Sequence, residues 1–145
     1  TDSIDHSVGI GTTSPSASYM VDVAADGTTG ASAGLAGWLG FTGTPDNLTG
    51  GVTGNKTVIP VTTAISHLTA ADTTNGHFSL ANGTEGQVKI LVTKTISAGK
   101  ATVTPANYAG SDTTIEFNAT GESVTLLFTN ARWNAIGYGK GVDQG

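Results

Sequence analysis

From Lys56 onward, apolar and polar residues alternate in short runs separated by turn residues. The run Gln87 to Ile96 is the strongest, with Val88, Ile90 and Val92 alternating with Lys89, Leu91 and Thr93. Alternation of period two predicts a half-buried strand. Thr113 to Ala119 places Ile115 and Phe117 on one face, and Ser123 to Thr129 aligns Val124, Leu126 and Phe128. Arg132 to Tyr138 offers Trp133 and Ile136 as core candidates, after a short turn at Asn130-Ala131. Further strands are expected over Thr57 to Ile65, His77 to Leu80 and Ala101 to Thr104. Pro60 confines the first of these to an edge or a bulge, because proline lacks the N–H a central strand must donate. Ile90, Val92, Ile115, Phe117, Leu126 and Phe128 form the expected core, extended by Val88 and Val124.

These runs predict an all-β domain, an antiparallel sandwich or small barrel of about six or seven strands. No strand alternates with a helical pattern, so no βαβ unit is expected. No repeat of fixed period is visible.

The N-terminal part reads differently. Residues 1–55 hold eleven Gly, which interrupt every periodic pattern. One strand is expected there, from Ser18 to Ala24. Leu35, Trp38, Leu39 and Phe41 are large and apolar, yet Gly34, Gly37, Gly40 and Gly43 punctuate them. Each interior Gly costs a helix about 1 kcal/mol against Ala. This segment is therefore expected to be an irregular arm with an apolar tip, unable to bury itself. The chain divides into an acidic Gly-rich arm (1–55), an antiparallel β module (56–138) and a flexible tail (139–145).

Composition supports the strands and removes several functions. The 145 residues suit one domain. Thr, Gly, Ala and Ser number 25, 21, 17 and 11, a poor mixture for long helices. A net charge of -5 disfavours nucleic-acid binding. All of that charge resides in residues 1–55, which contain five Asp and no Lys or Arg. With no Cys, disulfides and thiolate metal sites are excluded. No apolar run approaches the ~18 residues of a membrane span, and no secretory signal opens the chain.

Candidate chemistry is sparse. His67 and His77 flank Asp72, but a loop separates them where metal-binding pairs use short regular spacing. Asp72 to Gly76 lacks the alternate oxygen ligands and closing Glu of a calcium loop. No G-x-S-x-G elbow occurs. Glu116 and Glu122 could pair as glycosidase carboxylates, yet one alternates with Ile115 and Phe117 on a strand and the other sits in a turn. Gly9-Ile10-Gly11 lacks the third Gly of a dinucleotide site, and Gly51 to Thr57 has Asn55 where a phosphate loop needs Gly. No catalytic, cofactor-binding or metal residue is therefore assigned, and no cofactor.

Val8 to Ala17 reads V-G-I-G-T-T-S-P-S-A. It resembles a segment that recurs in bacteriophage tail-fibre and related virion proteins, where it leads into a strand. Gly76 to Gly137 includes L-A-N-G-T-E-G-Q-V-K-I, T-I-E-F-N-A-T-G-E-S-V-T-L-L-F-T and R-W-N-A-I-G. It is similar to β modules of small structural proteins in tailed phages, which decorate capsids or build tail parts. The resemblance implies a β-rich, oligomeric, virion-exposed protein with no catalytic site to carry over.

The expectation is a capsid decoration (cement) protein on the virion surface. Its partners would be the major capsid protein and sister subunits, as a homotrimer. Leu35, Trp38, Leu39 and Phe41 are the interface candidates. A tail fibre, spike or adaptor component is the alternative.

Overall fold

The computed structural model describes residues 8–10, 21–23, 41, 44–70, 75–110 and 112–139. Every regular element among them is a strand: β1 (Val8–Ile10), β2 (Val21–Val23), β3 (Asp46–Thr49), β4 (Thr57–Ile59), β5 (Ile65–Ala70), β6 (Gly76–Leu80), β7 (Val88–Ile96), β8 (Ala101–Pro105), β9 (Ile115–Phe117), β10 (Ser123–Thr129) and β11 (Arg132–Tyr138). The chain divides into two compact units, Thr1–Gly40 and Phe41–Gly145. In the first, β1 and β2 pair in parallel, Val8 opposite Val21 and Ile10 opposite Val23.

The second unit starts before the boundary expected at Lys56, because β3 and the turn after it belong to its sheets. It contains a five-stranded sheet in the order β11-β10-β7-β5-β3 and a four-stranded sheet in the order β4-β6-β8-β9. Both sheets contribute to one apolar core. Leu68, Leu91, Val124, Leu126, Phe128 and Trp133 come from the first, and Ile59, Phe78, Leu80, Val103, Ile115 and Phe117 from the second. The all-β sandwich expected from the sequence is present, as two open sheets of five and four strands where about six or seven strands in all were expected.

The pairing within the sheets differs from the expected antiparallel meander. From β3 to β8 each strand crosses to the opposite sheet, so β3, β5 and β7 pair in parallel in one sheet and β4, β6 and β8 in the other. The chain thus winds as a flattened coil of three turns. Asp46 aligns with Ser66 and Ser66 with Leu91, while Thr57 aligns with Phe78 and Phe78 with Val103. Equivalent positions recur after 20 or 21 residues and then after 25, an unequal spacing that hides the repeat in the sequence. The last three strands close the coil with antiparallel pairs, β9 on β8, β10 on β7 and β11 on β10.

Local chemistry explains the crossings. Gly50 follows β3 and Gly76 opens β6. A Cβ on Gly50 would lie 2.4 Å from the Gly76 Cα, so the two backbones pass where no side chain fits. Pro60 follows β4 directly, and β4 is an edge strand, as a proline at that place requires. Asn130 and Ala131 hold positive φ values of 53° and 58°, the two-residue turn whose twist matches a β-hairpin.

One register is the opposite of that expected. On β7, Lys89, Leu91 and Thr93 face the core, while Val88, Ile90 and Val92 lie half-buried on the outer face. A strand apolar on both faces leaves its orientation to its neighbours. Ile115, Phe117, Val124, Leu126, Phe128 and Trp133 are buried as expected, whereas Ile136 stands at 59% exposure beside a bulge in the β10–β11 pair.

Candidate functional site

Among the described residues one charged side chain is fully enclosed, and the alternation of β7 concealed it. Lys89 is fully buried. Its ammonium donates to the carbonyl oxygens of Pro60 (2.8 Å) and Thr63 (2.7 Å), and to the hydroxyls of Ser66 (2.8 Å) and Thr63 (3.0 Å). The Ser66 hydroxyl in turn donates to Asp46 Oδ2 at 3.1 Å, and the Thr63 hydroxyl donates to the same oxygen. Each hydroxyl accepts from the lysine and donates to the carboxylate, which uses its single proton in one direction. Lys89 on β7 and Asp46 on β3 thus form an ion pair bridged through β5 and the segment before it. With no solvent-accessible surface, Lys89 presents no reactive amine to an external substrate. Its chemistry is to hold residues 60–66, where the chain crosses from the four-stranded to the five-stranded sheet.

Burial lowers the Lys89 pKa from 10.5 to about 8, against the opposing pull of Asp46. The native state therefore releases this proton before the unfolded chain does. Stability from this group rises as pH climbs from about 8 towards 10.5 and is lost as pH falls back through 8. Tyr108 acts in the opposite sense. Burial and its hydroxyl contact with Tyr138 (3.1 Å) raise its pKa, so the unfolded chain ionises first and stability falls above pH 10, the ordinary tyrosine value. Urea midpoints measured at intervals from pH 7 to 11 should rise to a maximum near pH 10 and then fall. A flat profile between pH 8 and 10 would contradict the burial of Lys89.

The outer faces of the two sheets differ. The four-stranded sheet is polar across β6, β8 and β9, with Val58 exposed on its β4 edge. His77, Thr102 and Glu116 stand in register across β6, β8 and β9. His77 Nε2 lies 3.0 Å from the Thr53 hydroxyl, and Lys100 pairs with Glu116 at 2.5 Å. The Thr102 hydroxyl is buried among them without a hydrogen-bond partner among the described residues. The five-stranded sheet is apolar at its centre. Ile65 aligns with Ile90, Ile90 with Thr125, and Val88 with Leu127. Towards the β3 edge an open groove of about 450 Å³ is lined by Asn47, His67, Val92 and Lys94. Lys94 donates to Asn47 Oδ1 across it, at 3.1 Å.

The structure does not bring the histidine candidates together. His67 lies on the outer face of the five-stranded sheet and His77 on that of the four-stranded one; Asp72 lies outside the described residues. Glu116 is committed to Lys100, and the largely buried Glu122 accepts the Asn118 N–H at 2.6 Å. Among the interface candidates, Phe41 is 44% exposed, while Leu35, Trp38 and Leu39 lie outside the described residues. Val52 and Val58, in the first turn of the coil, are also exposed. No family model, no curated protein and no solved structure matches this chain.

Proposed function

We propose that this protein is a structural component of a tailed-phage virion, a decoration protein that binds the outside of the head and joins capsid subunits. The observation that carries the reading is the likeness of Gly76–Gly137 to β modules of small structural proteins in tailed phages, while the likeness of Val8–Ala17 to a tail-fibre segment favours the second reading below. The fold is compatible with such work. An all-β body with a shared apolar core and many short turns suits a scaffold whose task is to bury surface against neighbours. The exposed Phe41, Val52 and Val58 would meet the major capsid protein, and sister subunits would complete a homotrimer at three-fold positions of the shell.

Particles lacking the protein should bind it to saturation at hundreds of copies, visible as added density on the head by electron microscopy. Phe41→Ala together with Val58→Ala should weaken that binding at least about tenfold, the worth of about 1.4 kcal/mol. Density on the tail alone would overturn the head assignment and support the second reading, a fibre, spike or adaptor component. The parallel winding of β3 to β8 favours that alternative, because turns of a coil stack along one axis.

A further inference from the structure

Asn47, His67 and Val92 stand in register across β3, β5 and β7, all on the outer face of the five-stranded sheet. Lys94 breaks the pattern beside them. Leu68 aligns with Thr93 and Thr69 with Thr95, so Lys94 is the extra residue of a bulge. Bulges are rare between parallel strands, and they are over-represented next to active sites, where they re-aim a side chain. This one takes Lys94 out of the ladder. Its ammonium reaches over β5 to donate to Asn47 Oδ1 on β3 at 3.1 Å. The lysine is thus anchored along the groove that these four residues line.

The groove gathers donors and no acid. None of the described residues lining it is a carboxylate. Asp46, the neighbour of Asn47, points to the other face, where it accepts from Thr63 and Ser66. Glu116 lies on the other sheet and is paired with Lys100. An ammonium has three donors, and Lys94 spends one of them on Asn47. The His67 ring has no hydrogen-bond partner among the described residues, whereas the His77 ring meets the Thr53 hydroxyl. Donor capacity therefore converges at one place in a chain whose net charge is -5. We propose that this groove binds the carboxylate group of a small organic acid. Lys94 meets the carboxylate in a charge-assisted hydrogen bond, and the His67 ring N–H donates to it as well. The Val92 methyl groups take the carbon body of the ligand. The volume of about 450 Å³ falls within the ~300–1,000 Å³ of small-molecule sites. A single lysine balances one carboxylate and would leave a phosphate dianion half compensated. Two kinds of acid carry this group on a body of suitable size. A sugar acid would pair its hydroxyls with the Asn47 amide, and an aliphatic acid would rely on Val92. The proposal does not depend on the virion reading.

The test titrates the full chain with glucuronate, butyrate and glucose, and follows backbone amide signals by NMR. Sodium chloride at equal ionic strength sets the baseline. Both acids should shift the amides of His67, Val92 and Lys94 saturably, and the neutral sugar should not. Tighter binding of glucuronate would identify a sugar acid, and tighter binding of butyrate an aliphatic one. Lys94→Gln should weaken binding at least about tenfold, the loss of one charge-assisted contact. Asn47→Asp should do the same, because its carboxylate would occupy Lys94 in place of the ligand. Both side chains are exposed, so neither variant disturbs the core. Lys56→Gln makes the same change in net charge beside Thr104 on the other sheet, and should leave binding unchanged. Shifts equal to those from chloride or glucose overturn the proposal. So does binding that survives Lys94→Gln, or that falls equally in Lys56→Gln.

Discussion

Replacing Lys89 by methionine should lower the unfolding free energy by about 2–4 kcal/mol, because the acceptors around its ammonium lose their donor at about 1–3 kcal/mol for each one left buried and unpaired. Methionine fills most of the volume, so the loss is electrostatic. Pro60 and Thr63 would keep carbonyl oxygens pointing at a methyl group, and the Asp46 carboxylate would lose its counter-charge. The companion Asp46→Asn removes that charge too. In the double variant the penalty should be less than the sum of the two, by about 0.5–3 kcal/mol. Urea unfolding of the four proteins measures the cycle. A Lys89→Met loss below about 1 kcal/mol, the worth of one ordinary hydrogen bond, would mean that the ammonium reaches water.

Trp133→Ala should cost a further large amount, about 3–5 kcal/mol. The ring is fully buried and meets Phe128 edge-on, with centroids 5.1 Å apart at 71°. Its indole N–H donates to the Ala81 carbonyl at 2.8 Å, which ties β11 to the segment after β6 on the other sheet. Gly83 passes so close that a Cβ there would lie 2.8 Å from the ring. Removing the indole therefore opens a cavity and unlinks the two sheets at one corner. Ile136→Ala, three residues along the same strand, should change stability by less than about 0.5 kcal/mol, because that side chain faces water. Thermal melts of the two variants make the comparison, and equal effects would contradict the exposure of Ile136.

Alternation of residues decided much about this protein without any structure. Where a strand has one apolar face, period two can be read in only one way. The bounds of Ser123–Thr129 and Arg132–Tyr138 were legible to the residue, though not the exposure of Ile136, and Ile115 with Phe117 was legible as a buried pair. The turn at Asn130-Ala131 joins adjacent antiparallel strands, so it too is local.

Three features needed the tertiary structure. The direction of pairing from β3 to β8 depends on whether a turn returns the chain to the same sheet or carries it to the opposite one. Short turns of similar composition do both, and the unequal spacing of the three turns leaves no period to detect. The orientation of β7 depends on oxygens more than twenty residues away, because Lys89 is stable inside only where Pro60, Thr63 and Ser66 converge. The apolar outer face follows from that choice, since burying Lys89 turns Val88, Ile90 and Val92 outward. Sequence alone determined that this chain forms strands, and where most of them lie. Which faces they bury was decided by contacts between distant residues, since a strand with two apolar faces has no preference of its own.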